Sequence, residues 1–362
     1  MFGRTQSPAT PRRPPHWRPL IVAITVALTI NVIQLSQQIS RAEAISTLAA
    51  ATPAAAAASH NPIFRQDTPD PSILRVGRFY YLYTTSNGPN EAMPIYSSTD
   101  LKTWTRVGQI FRKGKLPSWS WPQEGTRDIY KFWGPEVHKI GSRYVAYYST
   151  IDERGQFSIG AATASQPLGP FRDRGKIVWN PDFGVIDPSY FRDPKTGKQY
   201  LLWKDNTNAL DQPTPTHIVL HELTSSGLSL DPGDSDRLIT DNVGWEGEVV
   251  EAPSLIYRHG FYYLFYSGND YQTDNYAVGF ARSKNLEGTY EKPGDLRGPI
   301  LKSDQRFDGP GGQSILRTHG RWQIFYHARE YRTQSEERYL MLDQIWWDSN
   351  GLPHVNDGTP SG

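Results

Sequence analysis

A unit of about 60 residues recurs five times after residue 60, and this repeat is the strongest constraint on the fold. Each unit has a short motif, usually with proline, then a strand, a turn glycine and a strongly aromatic strand. The turn glycines are separated by 64, 56, 63 and 60 residues, from the difference in their positions. The motifs are Asp70-Pro71-Ser72, Gly134-Pro135-Glu136, Asp187-Pro188-Ser189, Ala252-Pro253-Ser254 and Gly312-Gln313-Ser314, and the glycines are Gly77, Gly141, Gly197, Gly260 and Gly320.

The spacing predicts an all-β, five-bladed β-propeller. It leaves room for about four strands per unit, and stacking five small sheets around an axis exposes only short edges. The composition agrees, since 20 Tyr, 14 Phe and 11 Trp with 31 Gly and 28 Pro favour short strands and tight turns. A β-sandwich is the alternative, but it needs no such regular period.

The repeat also predicts where acidic side chains meet. If the motif opens the innermost strand of every blade, its five copies line one central channel. Asp70, Asp187 and Glu251 are expected to stand in register across the repeats, which distinguishes Glu251 from nearby glutamates, and to converge at one end of that channel. An aspartate before proline is common as a turn starter, yet clustered carboxylates repel one another and raise each other's pKa, which suits a functional site better than a structural one.

Charge and cysteine content exclude several classes of function. The 38 Lys and Arg residues nearly balance the 37 Asp and Glu residues, so the net charge of +1 creates no field that would attract nucleic acid. A neutral sugar is a more suitable partner. The absence of cysteine excludes disulfides, thiolate metal sites and a cysteine nucleophile.

Residues 1–59 are predicted to be a targeting segment and a linker that do not belong to the folded domain. Arg12, Arg13 and Arg18 precede an apolar run, Leu20 to Ile33, which is typical of a signal peptide. Ala42-Glu43-Ala44 resembles a cleavage site but lies far beyond that run. The sequence therefore predicts a secreted protein, with anchoring by residues 19–35 or a buried core helix as alternatives. An Ala-rich linker completes residues 1–59, and residues 60–362 form the propeller domain.

Several motifs in order resemble glycoside hydrolase family 43, over about Asn61 to Val355. They are Asp70-Pro71-Ser72, Phe132-Trp133-Gly134-Pro135-Glu136-Val137, Val185-Ile186-Asp187-Pro188-Ser189, and Trp245-Glu246-Gly247 leading to Glu251-Ala252-Pro253. The resemblance implies an inverting hydrolase of arabinofuranosyl or xylosyl linkages in plant cell wall polysaccharides or oligosaccharides. It implies that Asp70 is the general base and Glu251 the general acid, and that Asp187 tunes the pKa of the acid and orients it.

The same resemblance implies further substrate-binding residues. Trp133 matches an aromatic wall of the sugar site, and His327 and Arg338 match family positions; a core tryptophan, a core histidine and a surface arginine are the alternatives. Many family members have a metal-holding histidine in the fifth-blade motif, whereas this chain reads Gly309-Pro310-Gly311-Gly312-Gln313. This departure argues against a bound calcium, and we predict no metal site and no cofactor. Gln313 is expected to line the channel or bind water.

Some alternatives remain open at this stage. Glu246 and Glu248 are rival acids that differ from Glu251 in strand parity. The alternative functions are a carbohydrate-binding propeller without catalysis and a fructan-cleaving enzyme of family 32. The motif Phe191-Arg192-Asp193-Pro194 suggests the fructan-cleaving enzyme, although Asp193 to Gly197 is expected to be a hairpin turn. His217 and His221 have the spacing of a helical zinc pair but lie in a β-prone segment.

Overall fold

The computed structural model describes residues 60–86, 91–112, 114–121, 131–293, 298–331 and 336–362. Within these residues, nineteen strands form five antiparallel sheets, one for each unit of the repeat. The strands of the first two sheets are β1 (Ser72–Val76), β2 (Phe79–Tyr83), β3 (Ala92–Ser98), β4 (Thr105–Phe111), β5 (Phe132–Ile140), β6 (Arg143–Ile151), β7 (Phe157–Ala164) and β8 (Arg172–Trp179).

The other three sheets follow the same order of strands. They contain β9 (Val185–Arg192), β10 (Gln199–Asp205), β11 (His217–Leu223), β12 (Asp236–Thr240), β13 (Val250–Arg258), β14 (Phe261–Gly268), β15 (Ala277–Ser283), β16 (Phe307–Thr318), β17 (Arg321–Glu330), β18 (Tyr339–Trp347) and β19 (Pro353–Val355). Two short 3-10 helices span Thr207–Ala209 and Gly244–Glu246. The fourth sheet has three strands in the described residues, and Leu301 and Glu291 make isolated bridges to β15 in place of a fourth.

The predicted five-bladed propeller is confirmed. The first strands of the blades, which are β1, β5, β9, β13 and β16, contact one another in ring order. Five apolar clusters fill the spaces between successive blades, and the last joins Ile73 and Leu82 of the first blade to Phe325 and Leu342 of the fifth. Each blade therefore buries both faces of its sheet against its neighbours.

The turn glycines occupy the predicted places between the first and second strands of the blades. All five have left-handed backbones, with φ between 60° and 88°, a region that glycine enters without steric cost. The predicted hairpin turn at Asp193 to Gly197 is also present, closed by a hydrogen bond from the Gly197 N–H to the Asp193 carbonyl.

The start of the propeller domain is tied to the fifth blade. Phe64 bridges Leu340 of β18, and the Asn61 amide oxygen accepts the Leu342 N–H at 2.8 Å. These bonds join the two ends of the ring, which removes an exposed strand edge.

The predicted leader and its linker, residues 1–59, lie outside the described residues. Among the residues that are described, no helix has the length and apolar character needed to cross a membrane.

Candidate active site

The five motifs meet around the central channel, as predicted from the repeat. One small cavity on the axis is lined by the motif residues of all five blades. In each blade the residue that opens the motif has a left-handed backbone, with φ between 49° and 62°. This bend precedes β1 in the first blade and interrupts the innermost strand at a shift of register in the other four. The five equivalent residues are Asp70, Gly134, Asp187, Ala252 and Gly312.

This equivalence corrects one expectation. Asp70 and Asp187 are in register, but the equivalent residue of the fourth blade is Ala252, and Glu251 lies one residue earlier. Glu251 pairs with Ser267 of β14 as Trp133 pairs with Ser149 of β6. A bulge follows each of these pairs, so that residues on both sides of the bend face the end of the channel. The register argument for Glu251 was therefore wrong, although its placement at the channel end was right.

A cleft of about 720 Å³ opens above this end of the channel. Five of the predicted site residues line it: Asp70, Asp187, Glu251, Trp133 and Arg338. Trp133 packs edge-on against Phe157, with ring centroids 5.1 Å apart, so one wall of the cleft is aromatic. The cleft thus combines the three predicted carboxylates, two further ones (Glu248 and Asp270), an arginine and a flat apolar wall, which is the chemistry of a sugar-binding site.

Asp70 is held by donors on both of its oxygens. The Thr85 hydroxyl donates to Oδ2 at 2.5 Å, and Arg338 Nη1 lies 3.7 Å from Oδ1. The Arg338 guanidinium also covers the ring of Tyr271. The Asp70 side chain is 26% exposed, so water has access to its carboxylate.

His327 lies behind Asp70, not in the cleft. It is only 1% exposed, and its Nδ1 accepts the Asp70 backbone N–H at 3.1 Å. Burial, together with the nearby Arg338 and Arg329, holds the pKa of His327 well below its ordinary value, so the ring is neutral. The structure therefore brings His327 to the site as a support for Asp70.

Gln313 lines the channel beneath the cleft, as predicted. Its Oε1 accepts the Ser267 hydroxyl at 2.9 Å, and its Nε2 donates to the Ala252 carbonyl at 2.5 Å. The preceding residue, Gly312, has no room for a side chain. A Cβ there would lie 2.6 Å from the ring of His327 and 2.8 Å from Asp70 Oδ1. His327 thus fills the space that a side chain of the fifth-blade motif would need.

Three carboxylates line the cavity on the axis: Asp70, Asp187 and Glu136. Glu136 is already bonded to the Ser72 hydroxyl at 2.9 Å and to His138 at 2.6 Å. In the described part of the chain, no group of three or more His, Asp or Glu side chains is arranged to hold a metal ion. His217 and His221 lie on strand β11, and His221 is bonded to Ser235 and to a backbone carbonyl.

Glu251 and Asp187 are held as a pair. Glu251 accepts hydrogen bonds from Lys204 Nζ at 2.9 Å and from the Tyr276 hydroxyl at 2.8 Å. Asp187 Oδ2 accepts the backbone N–H of Ala252 at 3.0 Å. Burial raises the pKa of Asp187 to about 7, and the charge of Glu251 adds to this rise while Lys204 opposes it. At neutral pH Asp187 is therefore protonated in part of the molecules.

Of the two rival acids, Glu246 does not reach the cleft. It belongs to a 3-10 helix and is fully buried, bonded to Lys292 at 2.7 Å and to the Tyr266 hydroxyl at 2.6 Å. Glu248 lines the cleft with an exposed side chain. Neither lies in strand β13, so the parity argument does not apply to them.

The sequence analysis missed Lys204 and Tyr276, which both contact Glu251. Lys204 follows Leu201, Leu202 and Trp203 in an aromatic second strand, where a lysine is unusual. Alignment of the second strands of the five blades would have drawn attention to it, because the other blades have Thr85, Ser149, Ser267 and His327 there.

Several proteins of known function are similar in sequence to this chain. An extracellular endo-alpha-(1->5)-L-arabinanase of Bacillus subtilis is 28% identical over 300 residues, which cover 78% of this chain and 86% of that protein. A xylosidase/arabinosidase of Humicola insolens is 31% identical, over 64% of this chain and 41% of that protein. The chain therefore spans most of the arabinanase but less than half of the second relative.

Solved structures match the fold closely. A thermostable family-43 glycoside hydrolase superposes with a TM-score of 0.71 at 26% identity, covering 83% of this chain and 97% of the other. An alpha-L-arabinanase of Cellvibrio cellulosa, crystallised with arabinohexaose, has a TM-score of 0.64 at 21% identity, covering 81% of this chain and 96% of the other. The sequence profile of the glycosyl hydrolases family 43 matches residues 59–353, and the chain belongs to this family of glycoside hydrolases.

Proposed function

We propose that the protein hydrolyses α-L-arabinofuranosyl or β-D-xylosyl linkages of plant cell wall polysaccharides or oligosaccharides with inversion of configuration. The observation that carries the proposal is that one cleft holds two carboxylates in different environments. Asp70 is open to water and is held by donors, whereas Glu251 is paired with Asp187, whose pKa is raised. Relatives named as arabinanase, arabinofuranosidase and xylosidase support this choice of substrates.

Inversion requires one carboxylate that takes a proton and one that gives a proton. We assign the first role to Asp70. Its carboxylate removes a proton from a water molecule, and the water oxygen forms the new bond to the anomeric carbon. The Thr85 hydroxyl and Arg338 keep this carboxylate oriented, and the Asp70 backbone is held by His327.

We assign the second role to Glu251. It donates its proton to the glycosidic oxygen as the bond from that oxygen to the anomeric carbon breaks. Asp187 lies beside it, and its pKa is raised by burial and by the charge of Glu251, so the two carboxyl groups influence each other. Asp187 is therefore proposed to tune the acid and to hold the backbone of Ala252 next to it.

The remaining predicted residues divide into two groups. Trp133 and Arg338 line the cleft, and we propose that they contact the sugar. Gln313 and His327 lie beneath or behind the cleft, and we propose that they act through Ala252 and Asp70.

The test compares Glu251→Gln with the wild type on two substrates. On arabino- or xylo-oligosaccharides, loss of the acid is expected to lower kcat by about 10² to 10⁴-fold, whereas an aryl glycoside with an activated leaving group needs little acid help and should lose much less. Equal losses on both substrates, or full activity on the oligosaccharide, would contradict the assignment. NMR of the first anomer released tests inversion, and a retained configuration would overturn that part.

We further propose that residues 1–59 direct export and that residues 60–362 are the catalytic domain. Relatives from Bacillus subtilis and Cellvibrio japonicus are named as extracellular, which supports secretion. Cell fractionation and N-terminal sequencing of the mature protein would test this, and a cytoplasmic protein that keeps its N-terminus would contradict it.

A further inference from the structure

A ring of hydrogen bonds joins neighbouring blades just below the cleft. In four blades, the side chain that faces the motif from the second strand accepts the backbone N–H of the left-handed residue in the next blade. The bonds run from Gly134 to Thr85 at 3.0 Å, from Asp187 to Ser149 at 3.1 Å, from Gly312 to Ser267 at 3.0 Å, and from Asp70 to His327 Nδ1 at 3.1 Å. The rule is therefore that an acceptor stands at this place.

The third blade breaks this rule. Its equivalent residue is Lys204, which pairs with Ile186 in the register of β10 and β9. An ammonium group has no acceptor, so it cannot take the N–H of Ala252. That N–H goes instead to Asp187 Oδ2 at 3.0 Å, and Lys204 Nζ donates to Glu251 Oε2 at 2.9 Å. The exception thus falls on the two carboxylates assigned to acid chemistry.

A buried lysine at this position costs free energy of folding, so a role in stability does not explain its presence. Its side chain is only 4% exposed, and removing an ammonium group from water costs several kcal/mol unless a partner compensates. A serine, as in the second and fourth blades, would complete the ring of hydrogen bonds without a buried charge. We explain the presence of the lysine at this position by its effect on Glu251.

The charges around Glu251 come from several elements. Lys204 on β10 is the cation that touches it, and Asp187 on β9 and Asp70 before β1 are the neighbouring anions. The Tyr276 hydroxyl donates to its second oxygen, and Tyr276 stacks on the neutral His327. Arg338, Glu248, Asp270 and Tyr271 form more distant parts of the cleft wall.

We propose that Lys204 is a positioning residue for Glu251, which it orients toward the leaving oxygen and whose carboxylate it stabilises as the proton departs. The inference rests on the proposed role of Glu251 as the acid. Negative charge develops on Glu251 in the transition state, so a cation already in place stabilises that state more than the ground state. Lys204 also lowers the pKa of Asp187, which burial and the charge of Glu251 raise.

The test uses Lys204→Gln and Lys204→Met. Glutamine keeps an N–H donor without the charge, and methionine removes both. Lys292→Met is the matched control, because Lys292 forms a buried ion pair with Glu246 and does not line the cleft. All three variants lose a partly or fully buried cation, and a purely structural role predicts the same result for all three: lower Tm without a change in the pH profile.

The pH dependence of kcat/KM is the deciding measurement. Removing an opposite charge from a carboxyl raises its pKa, so the alkaline limb should move up by about one pH unit or more in both Lys204 variants and stay in place in the control. On oligosaccharides, kcat should fall about 10- to 100-fold in Lys204→Met and less in Lys204→Gln. On an activated aryl glycoside, kcat should change little in any of them.

Three results would overturn the inference. The first is an alkaline limb in the Lys204 variants that coincides with that of the control. The second is an equal loss of kcat on the oligosaccharide and on the activated glycoside. The third is loss of folding in both Lys204 variants when the control folds. The Glu251→Gln variant separates this failure from failure of the proposed function. If the alkaline limb disappears in Glu251→Gln but does not move in the Lys204 variants, then Glu251 is the acid and Lys204 does not tune it.

Discussion

Asp187 should make the stability of the folded protein depend on pH, in the direction opposite to that of most buried aspartates. Its pKa rises from 3.8 in a model peptide to about 7 in the folded protein, through burial first and the charge of Glu251 second. A carboxyl whose pKa is raised on folding contributes its full stability below the unfolded pKa. That contribution is lost as the pH rises through the folded pKa.

The size of the effect follows from the same shift. A rise of about three pH units corresponds to about 4 kcal/mol at about pH 8, since each unit is worth about 1.4 kcal/mol. Asp187 lines an open cleft, and solvent screening there lowers the expected value to about 2 kcal/mol. Asp187→Asn removes the charge and keeps an amide oxygen for the Ala252 N–H.

We therefore expect Asp187→Asn to be more stable than the wild type by about 2 kcal/mol at about pH 8, with the difference vanishing near pH 4. Denaturant titrations at several pH values and constant ionic strength measure it. The more stable variant should also be less active on oligosaccharides, by about 10²-fold, because the proposed acid loses its neighbouring charge.

Asp193→Asn in the same blade provides a control of opposite sign. Burial opposes ionisation of Asp193, but hydrogen bonds from Thr196, from the Lys195 N–H and from Tyr262 outweigh it and lower its pKa. This carboxylate stabilises the fold above its unfolded pKa, and that stability is lost as the pH falls. The reasoning about Asp187 is refuted if its variant shows a pH-independent difference, or if the wild type is the more stable protein at about pH 8.

Two further substitutions test how the site is held. Gly312→Ala should lower both Tm and kcat, because its Cβ would meet His327 at 2.6 Å and Asp70 at 2.8 Å. The control Gly77→Ala, with a φ of 61° and no atom within 4 Å of the added Cβ, should show only backbone strain of about 1 kcal/mol. Equal effects of the two substitutions would contradict the steric argument. Tyr276→Phe should lower kcat about tenfold through the lost hydrogen bond to the proposed acid, with little change in Tm because the ring remains, and unchanged kinetics would argue against that contact.

The positions of Asp70 and Asp187 could be predicted because they follow from a local pattern. The five turn glycines mark the hairpins, and the motif that precedes each of them puts Asp70 and Asp187 at one end of the channel. Both consequences depend on residues within a few positions of each other, where backbone geometry dominates.

The rest of the site could not be predicted, because its partners are far apart in the chain. Lys204 and Glu251 are separated by 47 residues and meet only when the third and fourth blades pack together. Glu246, five residues before Glu251, is bonded to Lys292, although local sequence gives the two glutamates similar standing.

The sequence by itself thus determined the propeller, its number of blades and the meeting of Asp70 and Asp187 at one end of the channel, since period and strand alternation are properties of the chain. Only the tertiary structure decided which glutamate is paired with Asp187, that His327 supports Asp70 from behind, and that a lysine replaces an acceptor in the third blade. These features depend on burial and on contacts between blades. Their electrostatic interactions are strong because the neighbouring blade excludes water from them.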